Sequence, residues 1–388
     1  MSRYRQVSGR TRICIDARKF RDTGIGRTLT STLSTIIRAD RSRSYVLLMP
    51  RGDPVPIDLQ EEPHVTIAYS ETKNYSLGEL LFLPFRIASL RPQLLHEPHY
   101  TVPVVNFGWR TVVTIHDLTH LRFGGYANAP VRKAYVHAMM RLAADSDRII
   151  VPSLHTKDDL INLIGAKEER IRVIPWSADP VFRPSPDRSA RAFARQLGLP
   201  ESFLLYVGMW KYHKNLSGLL RAIAILKARG TWEGRLCIVG KPDPVSAASV
   251  TAQISELGLE SSVVMTGYLS DERLRDLYST ASAVIQPSFY EGWGLTVMEA
   301  MACGAPVVCS NAASLPEVAG KAALMFDPHA TGDLVDAITR VITDTSLAKR
   351  LSAAGLRRAA GFSWEKTAAG ILAVYDELLP AGQSDGPA

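Results

Sequence analysis

The stretch from Ala283 to Val308 constrains this chain more than any other. Ala283-Val284-Ile285 reads as an apolar strand, Gly292 and Gly294 fall in the loop after it, and a helix opens near Leu295. Gly304 and Pro306 stop that helix just before a second apolar strand at Val307-Val308. Strand, glycine loop, helix and strand make a βαβ unit, whose loop aims backbone N–H groups at an anion. Two carboxylates bracket the loop, Glu291 at its mouth and Glu299 inside the helix. One acidic residue there would simply complement the helix dipole. Two of them, around paired glycines, fit a site where carboxylates accept hydrogen bonds from sugar hydroxyls beside a phosphate.

The same alternation extends along the chain. At 388 residues it is too long for one core and is expected to form two domains. In the first half, strands are expected at 11–16, 45–49, 64–68, 94–98, 110–115, 148–153 and 171–174. A loop carrying Thr23-Gly24-Ile25-Gly26-Arg27 should follow the first strand and open a helix from Thr28, the usual place for a phosphate-facing turn. The apolar segment 79–91 reads as a core helix, with contact to a lipid-linked acceptor at a membrane surface as its alternative. Pro180 to Pro186, with three prolines, reads as a linker. Beyond it, strands at 203–208, 235–239, 262–265 and 283–286 alternate with helices at 190–197, 215–229, 246–257 and 271–279. That spacing predicts a parallel sheet covered on both faces. Ser363 should open a last helix running to Leu379, and residues 381–388 read as a disordered tail.

Composition enters as exclusion. No run of eighteen apolar residues exists, so no transmembrane helix is expected, and the polar start Met1-Ser-Arg-Tyr-Arg-Gln is unlike a signal peptide. The four cysteines lack zinc spacing and are expected as buried free thiols in a reducing cytoplasm. A net charge of +7 fits an anionic substrate or a membrane surface, and equally an ordinary basic protein. A dinucleotide oxidoreductase would need a third glycine, which Gly24-Ile-Gly-Arg-Thr-Leu lacks. Asp145-Ser146-Asp147 has the D-x-D pattern of divalent-metal sites, but it precedes a strand, at the end away from the ligand crevice. It reads as helix-end and turn chemistry, so neither a metal nor a cofactor is expected.

The run Glu291-Gly-Trp-Gly-Leu-Thr-Val-Met-Glu299-Ala-Met-Ala-Cys-Gly-Ala-Pro-Val-Val resembles the E-x7-E signature of family 4 glycosyltransferases, retaining enzymes of the GT-B fold. Ser310-Asn-Ala-Ala-Ser-Leu-Pro-Glu-Val-Ala-Gly320 continues the likeness. The resemblance implies an α/β chain with two Rossmann-like, doubly wound parallel-sheet domains facing a cleft. Residues 1–182 would take the acceptor, residues 183–362 the nucleotide-sugar, and a helix at 363–380 would cross back to the first domain. Cations must meet the donor diphosphate as its charge grows. Lys214 matches the family's lysine, and Lys211 stands in for an arginine whose place Met209 holds. Glu299 would bind ribose and Glu291 the hexose, with the backbone N–H groups of Gly292, Trp293, Gly294 and Leu295 near the diphosphate and Tyr268 near the base. From the first domain, His116 matches the family's active-site histidine, Asp117 follows it, and Gly24 and Gly26 match its glycine loop.

The implied catalytic set is His116, Glu291 and Lys214, with Glu291 binding rather than attacking and the leaving phosphate taking the acceptor's proton. The wording around Tyr290 and around Thr114-Ile-His-Asp-Leu looks most like bacterial mannosyltransferases of polysaccharide assembly. That implies GDP-mannose, with UDP-glucose, UDP-galactose and GDP-fucose as alternatives. The implied acceptor is a saccharide or lipid-linked saccharide, met in the cytoplasm or on the inner face of the membrane. No nucleic-acid partner is expected.

Overall fold

The computed structural model describes residues 10–379 apart from 22, 54–56, 73, 124–129, 186 and 245. The expected tail at 381–388 and the polar start lie outside the described residues. The chain divides into two compact units, one of residues 1–176 with 364–388 and one of residues 177–363.

In the first unit seven parallel strands run as β1 Arg12–Asp16, β2 Ser44–Pro50, β3 Val65–Ser70, β4 Leu94–Glu97, β5 Arg110–Thr114, β6 Arg148–Val151 and β7 Ile171–Val173. Their order is β3-β2-β1-β4-β5-β6-β7. The second unit has β8 Phe203–Val207, β9 Arg235–Val239, β10 Val263–Gly267, β11 Ala283–Gln286, β12 Val307–Ser310 and β13 Leu324–Phe326, in the order β10-β9-β8-β11-β12-β13. Both sheets are doubly wound. Strand order reverses between β1 and β4 and again between β8 and β11, and ligands of such sheets bind at the carboxyl ends beside that reversal. Strands buried on both faces explain the near-continuous apolar runs, as in Leu204-Leu205-Tyr206 and Val307-Val308-Cys309.

Four expectations shift. Gly24 and Gly26 lie inside the helix Thr23–Ala39 rather than in a loop before it. Gly26 is needed for closeness, since a Cβ there would stand 2.2 Å from the Phe20 carbonyl oxygen. Second, part of the supposed linker packs: Phe182 is buried edge-on against Tyr278, and Ser185 donates to Asp276 at 2.6 Å. The division between units falls at Trp176–Ser177, ahead of the expected 182–183. Third, the helices Pro130–Ala144, Thr331–Thr343 and Thr345–Ala359 have no counterpart in the sequence reading. Fourth, the core helix at 79–91 spans Leu77–Ser89, and only one of its faces is buried.

The last helix, Trp364–Leu378, belongs to the first unit. Thr367 donates to the Pro175 carbonyl at 2.7 Å, Tyr375 meets His96 at 2.6 Å, and Glu377 accepts from Arg148 and Arg172. The four cysteines are buried and free. Burial pushes the Cys237, Cys303 and Cys309 thiols up to about 12, so none is poised to react.

Candidate active site

In the second unit, two loops meet at the reversal of strand order. After β8 the chain passes Gly208 and makes a single 3-10 turn, Tyr212–Lys214. Asn215 follows with a left-handed φ of 54° and caps the helix Leu216–Ala228 by accepting from the Gly218 N–H. Its amide also donates to the Pro287 and Pro328 carbonyls at 3.0 and 3.1 Å, tying this loop to the one after β11. The Phe289 N–H closes the join on the His213 carbonyl at 2.8 Å.

This join sets Lys214 against Glu291. The ammonium donates to both carboxylate oxygens, at 2.7 and 2.6 Å. Gln286, the last residue of β11, and Ser288 each donate to Glu291 Oε1 at 2.8 Å. Ser314 Oγ donates to the Glu291 and Trp293 carbonyls, both at 2.9 Å, holding the loop backbone from behind. Burial alone would raise the Glu291 carboxyl, but Lys214, His213 and the hydrogen bonds from Lys214 and Ser288 outweigh it and hold the pKa below the ordinary value. The carboxylate is thus charged and fixed in direction.

Gly294 caps the helix Leu295–Ala302 with φ 103°, so the helix N-terminus follows Glu291 within one turn of chain. Glu299 is buried one turn on and accepts from the Tyr278 hydroxyl at 3.0 Å. At the end of β10, Tyr268 is exposed with the Lys241 ammonium 5.6 Å over its ring. Lys211 precedes the 3-10 turn as its cap.

The first unit places His116 and Asp117 just past the carboxyl end of β5, while Gly24 and Gly26 lie in the helix that follows β1. His116 hydrogen-bonds the Pro98 carbonyl through Nε2 at 3.0 Å. Nε2 therefore carries the proton and Nδ1 keeps its lone pair. Burial lowers the His116 pKa despite Pro98 and Asp117, so the ring is neutral at pH 7. It lies 5.9 Å from Trp176, which stacks on Trp364 of the last helix. Asp117 accepts from the Thr119 N–H at 2.8 Å. The D-x-D carboxylate of Asp147 accepts from the Thr111 N–H and from Arg110, at the other end of the sheet.

Beside these, Asp16 holds Arg18 as a buried ion pair, and Arg18 also reaches Glu79 at 2.8 Å. Glu97 ends β4 next to Asp16, fully buried, with its Oε1 lacking a hydrogen-bond partner. Burial and then the Asp16 charge raise Glu97 well above the ordinary range. Burial would raise Asp16 too, but Arg18 outweighs it and holds Asp16 low. Glu97 is therefore the protonated member and donates to Asp16. Its folded pKa exceeds its unfolded one, so stability falls as pH climbs from the ordinary carboxylate range toward the raised value. Glu97→Gln keeps a donor and removes that slope. Its melting temperature should exceed the parent's at about pH 8 and converge with it near about pH 4. A lower melting temperature at the higher pH would show that Glu97 is ionised in the fold.

Sequence reasoning did not assign roles to Gln286, Ser288, Ser314 or Tyr278. The one signal was Gln286, a polar side chain closing an otherwise apolar strand.

Two family models match the chain: Glycosyl transferases group 1 over residues 188–358 and Glycosyltransferase Family 4 over residues 30–182. O-antigen chain mannosyltransferase B of Escherichia coli is 31% identical over 288 residues, 74% of this chain and 74% of that protein. D-inositol 3-phosphate glycosyltransferase of Rhodococcus opacus (strain B4) is 31% identical, over 74% of this chain and 69% of that one. Serotype-specific mannosyltransferase WbdA of Escherichia coli is 28% identical over 76% of this chain, which spans only 38% of WbdA's length. Among solved structures, sucrose-phosphate synthase from Thermosynechococcus elongatus aligns with TM-score 0.76 at 23% identity, over 96% of this chain and 100% of that one. Anabaena HepE in complex with UDP and glucose aligns with TM-score 0.75 at 18% identity, over 95% and 100%. With two doubly wound parallel sheets and the GT-B fold, the chain belongs to the family 4 glycosyltransferases.

Proposed function

We propose that the chain is a retaining, metal-independent hexosyltransferase that moves mannose from GDP-mannose onto a saccharide or lipid-linked saccharide, in cytoplasmic synthesis of a cell-surface polysaccharide. The observation that carries this reading is the Lys214–Glu291 pair at the carboxyl ends of β8 and β11, beside the open helix N-terminus at Gly294. A cation, a fixed carboxylate and a helix N-terminus are what a diphosphate joined to a sugar requires. In this reading Glu291 accepts from hexose hydroxyls, Glu299 from the ribose, and Tyr268 lies by the base. Lys214 and Lys211 meet the diphosphate, together with the N–H groups of Gly292, Trp293, Gly294 and Leu295. The bond from the anomeric carbon to the phosphate oxygen breaks as the acceptor oxygen bonds to that carbon. The acceptor's proton passes to the departing phosphate, and retention follows from attack on the face the phosphate leaves. In the first unit, His116, neutral and with Nδ1 free of the proton, suits acceptance from a sugar hydroxyl, with Asp117, Gly24 and Gly26 read as its companions in acceptor binding.

The mannosyl donor is supported by the relatives named as mannosyltransferases. A second reading, another donor such as UDP-glucose, UDP-galactose or GDP-fucose, is favoured by the structural neighbour in complex with UDP and glucose. Thermal melts with GDP, UDP, ADP, dTDP and NAD separate them. At a hundredfold excess over Kd a ligand stabilises by about 2.7 kcal/mol, a rise of roughly 5 °C or more for a domain of this size. GDP alone is expected to produce it. A rise with UDP alone would turn the assignment to the second reading, and one with NAD alone would remove both.

A further inference from the structure

Glu291 does not use its two oxygens alike. Oε1 accepts from Lys214 at 2.7 Å and from Gln286 and Ser288, both at 2.8 Å. Oε2 accepts from Lys214 at 2.6 Å and, among the described residues, from nothing else. Each carboxylate oxygen offers about two lone-pair directions, so Oε1 is filled and Oε2 keeps one open. Gln286 enforces this difference. It closes β11, is 1% exposed, and commits both amide protons, one to Glu291 Oε1 and one to Ser288 Oγ at 2.8 Å. Ser288 gives its own proton to the same Glu291 oxygen, and its carbonyl is pinned by the Ser310 hydroxyl at 2.5 Å. The ring of three side chains is closed. The Gln286 amide cannot turn over, because its oxygen would then face Glu291 Oε1, another acceptor. Held this way, the Gln286 amide oxygen is buried without a hydrogen-bond partner. A buried orphan acceptor lowers stability, so packing alone does not account for a glutamine here.

We infer that Gln286 is a positioning residue, which locks the rotation of the Glu291 carboxylate so that Oε2 is the oxygen presented to substrate. The end group of a glutamate turns about a broad, roughly two-fold torsion. Lys214 can follow that turn, because an ammonium is a compact charge with rotatable donors on a flexible stem. The ion pair therefore fixes charge without fixing direction. The Gln286 amide does fix direction, being planar, anchored at the end of a strand and committed through both protons. In the hexosyl-transfer reading, on which the substrate side of this inference rests, the open lone pair of Oε2 takes the hydrogen bond of a sugar hydroxyl. A group of that kind displaced by about 1 Å loses up to about 100-fold in rate.

The test compares the full chain with Gln286→Met, which keeps the stem and loses the donor, and with Gln286→Glu, which donates only when protonated. With GDP-mannose, kcat of Gln286→Met should fall about 10- to 100-fold and by more than KM rises. GDP, which carries no hexose, should still raise its melting temperature as in the parent. Relative to the parent, Gln286→Glu should be nearly as active at about pH 5.5 and at least about tenfold weaker by about pH 8. The sign follows from the new carboxyl, which donates to Glu291 while protonated and repels it once ionised. Among the described residues, the ionisable groups around it are Glu291 itself and, from the loop after β8, Lys214 and His213. In a chain isotopically labelled at its glutamate carboxyls, NMR should show Glu291, identified by its loss in Glu291→Gln, titrating at higher pH in Gln286→Met. That readout needs no turnover. Turnover of UDP-glucose in place of GDP-mannose would reject the donor assignment alone, and the same comparisons would then be read on UDP-glucose and UDP. An unchanged Glu291 titration in Gln286→Met would overturn the inference, as would a Gln286→Glu protein whose activity follows the parent's at every pH. Equal losses of turnover, GDP response and melting temperature in Gln286→Met would also overturn it, since they would mark a purely structural residue.

Discussion

Replacing Lys214 with methionine is expected to lower kcat/KM about a thousandfold, read as GDP release, and to destabilise the fold by about 2–4 kcal/mol. Both effects come from one contact. Lys214 is the cation whose two hydrogen bonds balance a Glu291 side chain only 11% exposed. Methionine keeps most of the stem and removes the charge, which leaves Glu291 buried with Gln286 and Ser288 as donors but without its ion-pair partner. Losing one member of such a pair costs more than losing both. The double variant Lys214→Met/Glu291→Gln should therefore recover to within about 1 kcal/mol of the parent in stability while its activity stays low. The pH dependence has a defined sign. Glu291's folded pKa is lowered, so its contribution is complete above the ordinary carboxylate range and is lost as pH falls through the lower folded value. In Lys214→Met that acid-side loss should shrink, because without the ammonium the folded pKa rises toward the ordinary value. A double variant no more stable than Lys214→Met would show that the two residues are not energetically coupled.

The pair also marks what the sequence could and could not reveal. The βαβ order around Ala283–Val308 was readable because apolar runs, glycines and a proline act locally, and β11, the helix Leu295–Ala302 and β12 form there. Lys214 and Glu291 were each legible from their loops. Their contact was not, since they lie 77 residues apart and are brought together by Asn215 bridging two prolines' carbonyls. Periodicity found an apolar helix near Leu80–Ile87 but could not say that one of its faces would remain outside, because alternation of neighbours in space is not written in one segment. Gly24 and Gly26 misled for a similar reason. A glycine pair after a strand suggests a turn, whereas Gly26 answers to the Phe20 backbone pressed against the helix. The helix Pro130–Ala144 escaped notice because its apolar positions, Val136, Met139, Met140 and Ala143, are interrupted by charged and polar residues without a strong capping signal.

Gly294→Ala is expected to cost about 2–4 kcal/mol and to abolish the thermal response to GDP. Two separate causes add. At φ 103° a side chain is strained wherever it points, and a Cβ here would also stand 2.7 Å from Leu315 Cδ2. Leu315 is fully buried, so it has little room to retreat. Relief must come from the loop itself. Yet the Gly294 carbonyl accepts from the Val297 and Met298 N–H groups, and Ser314 holds the carbonyls of Glu291 and Trp293. Any shift at Gly294 therefore turns the first helical N–H groups and the Glu291 carboxylate away from their common focus. A double-mutant cycle with Leu315→Val separates the causes, because valine removes the crowding methyl and leaves the backbone strain. The double variant should lose less stability than the two single losses combined, and it should still respond weakly to GDP. Strict additivity would show that the clash is relieved elsewhere. A Gly294→Ala protein that melts and binds GDP like the parent would show that this turn is not what orients the site.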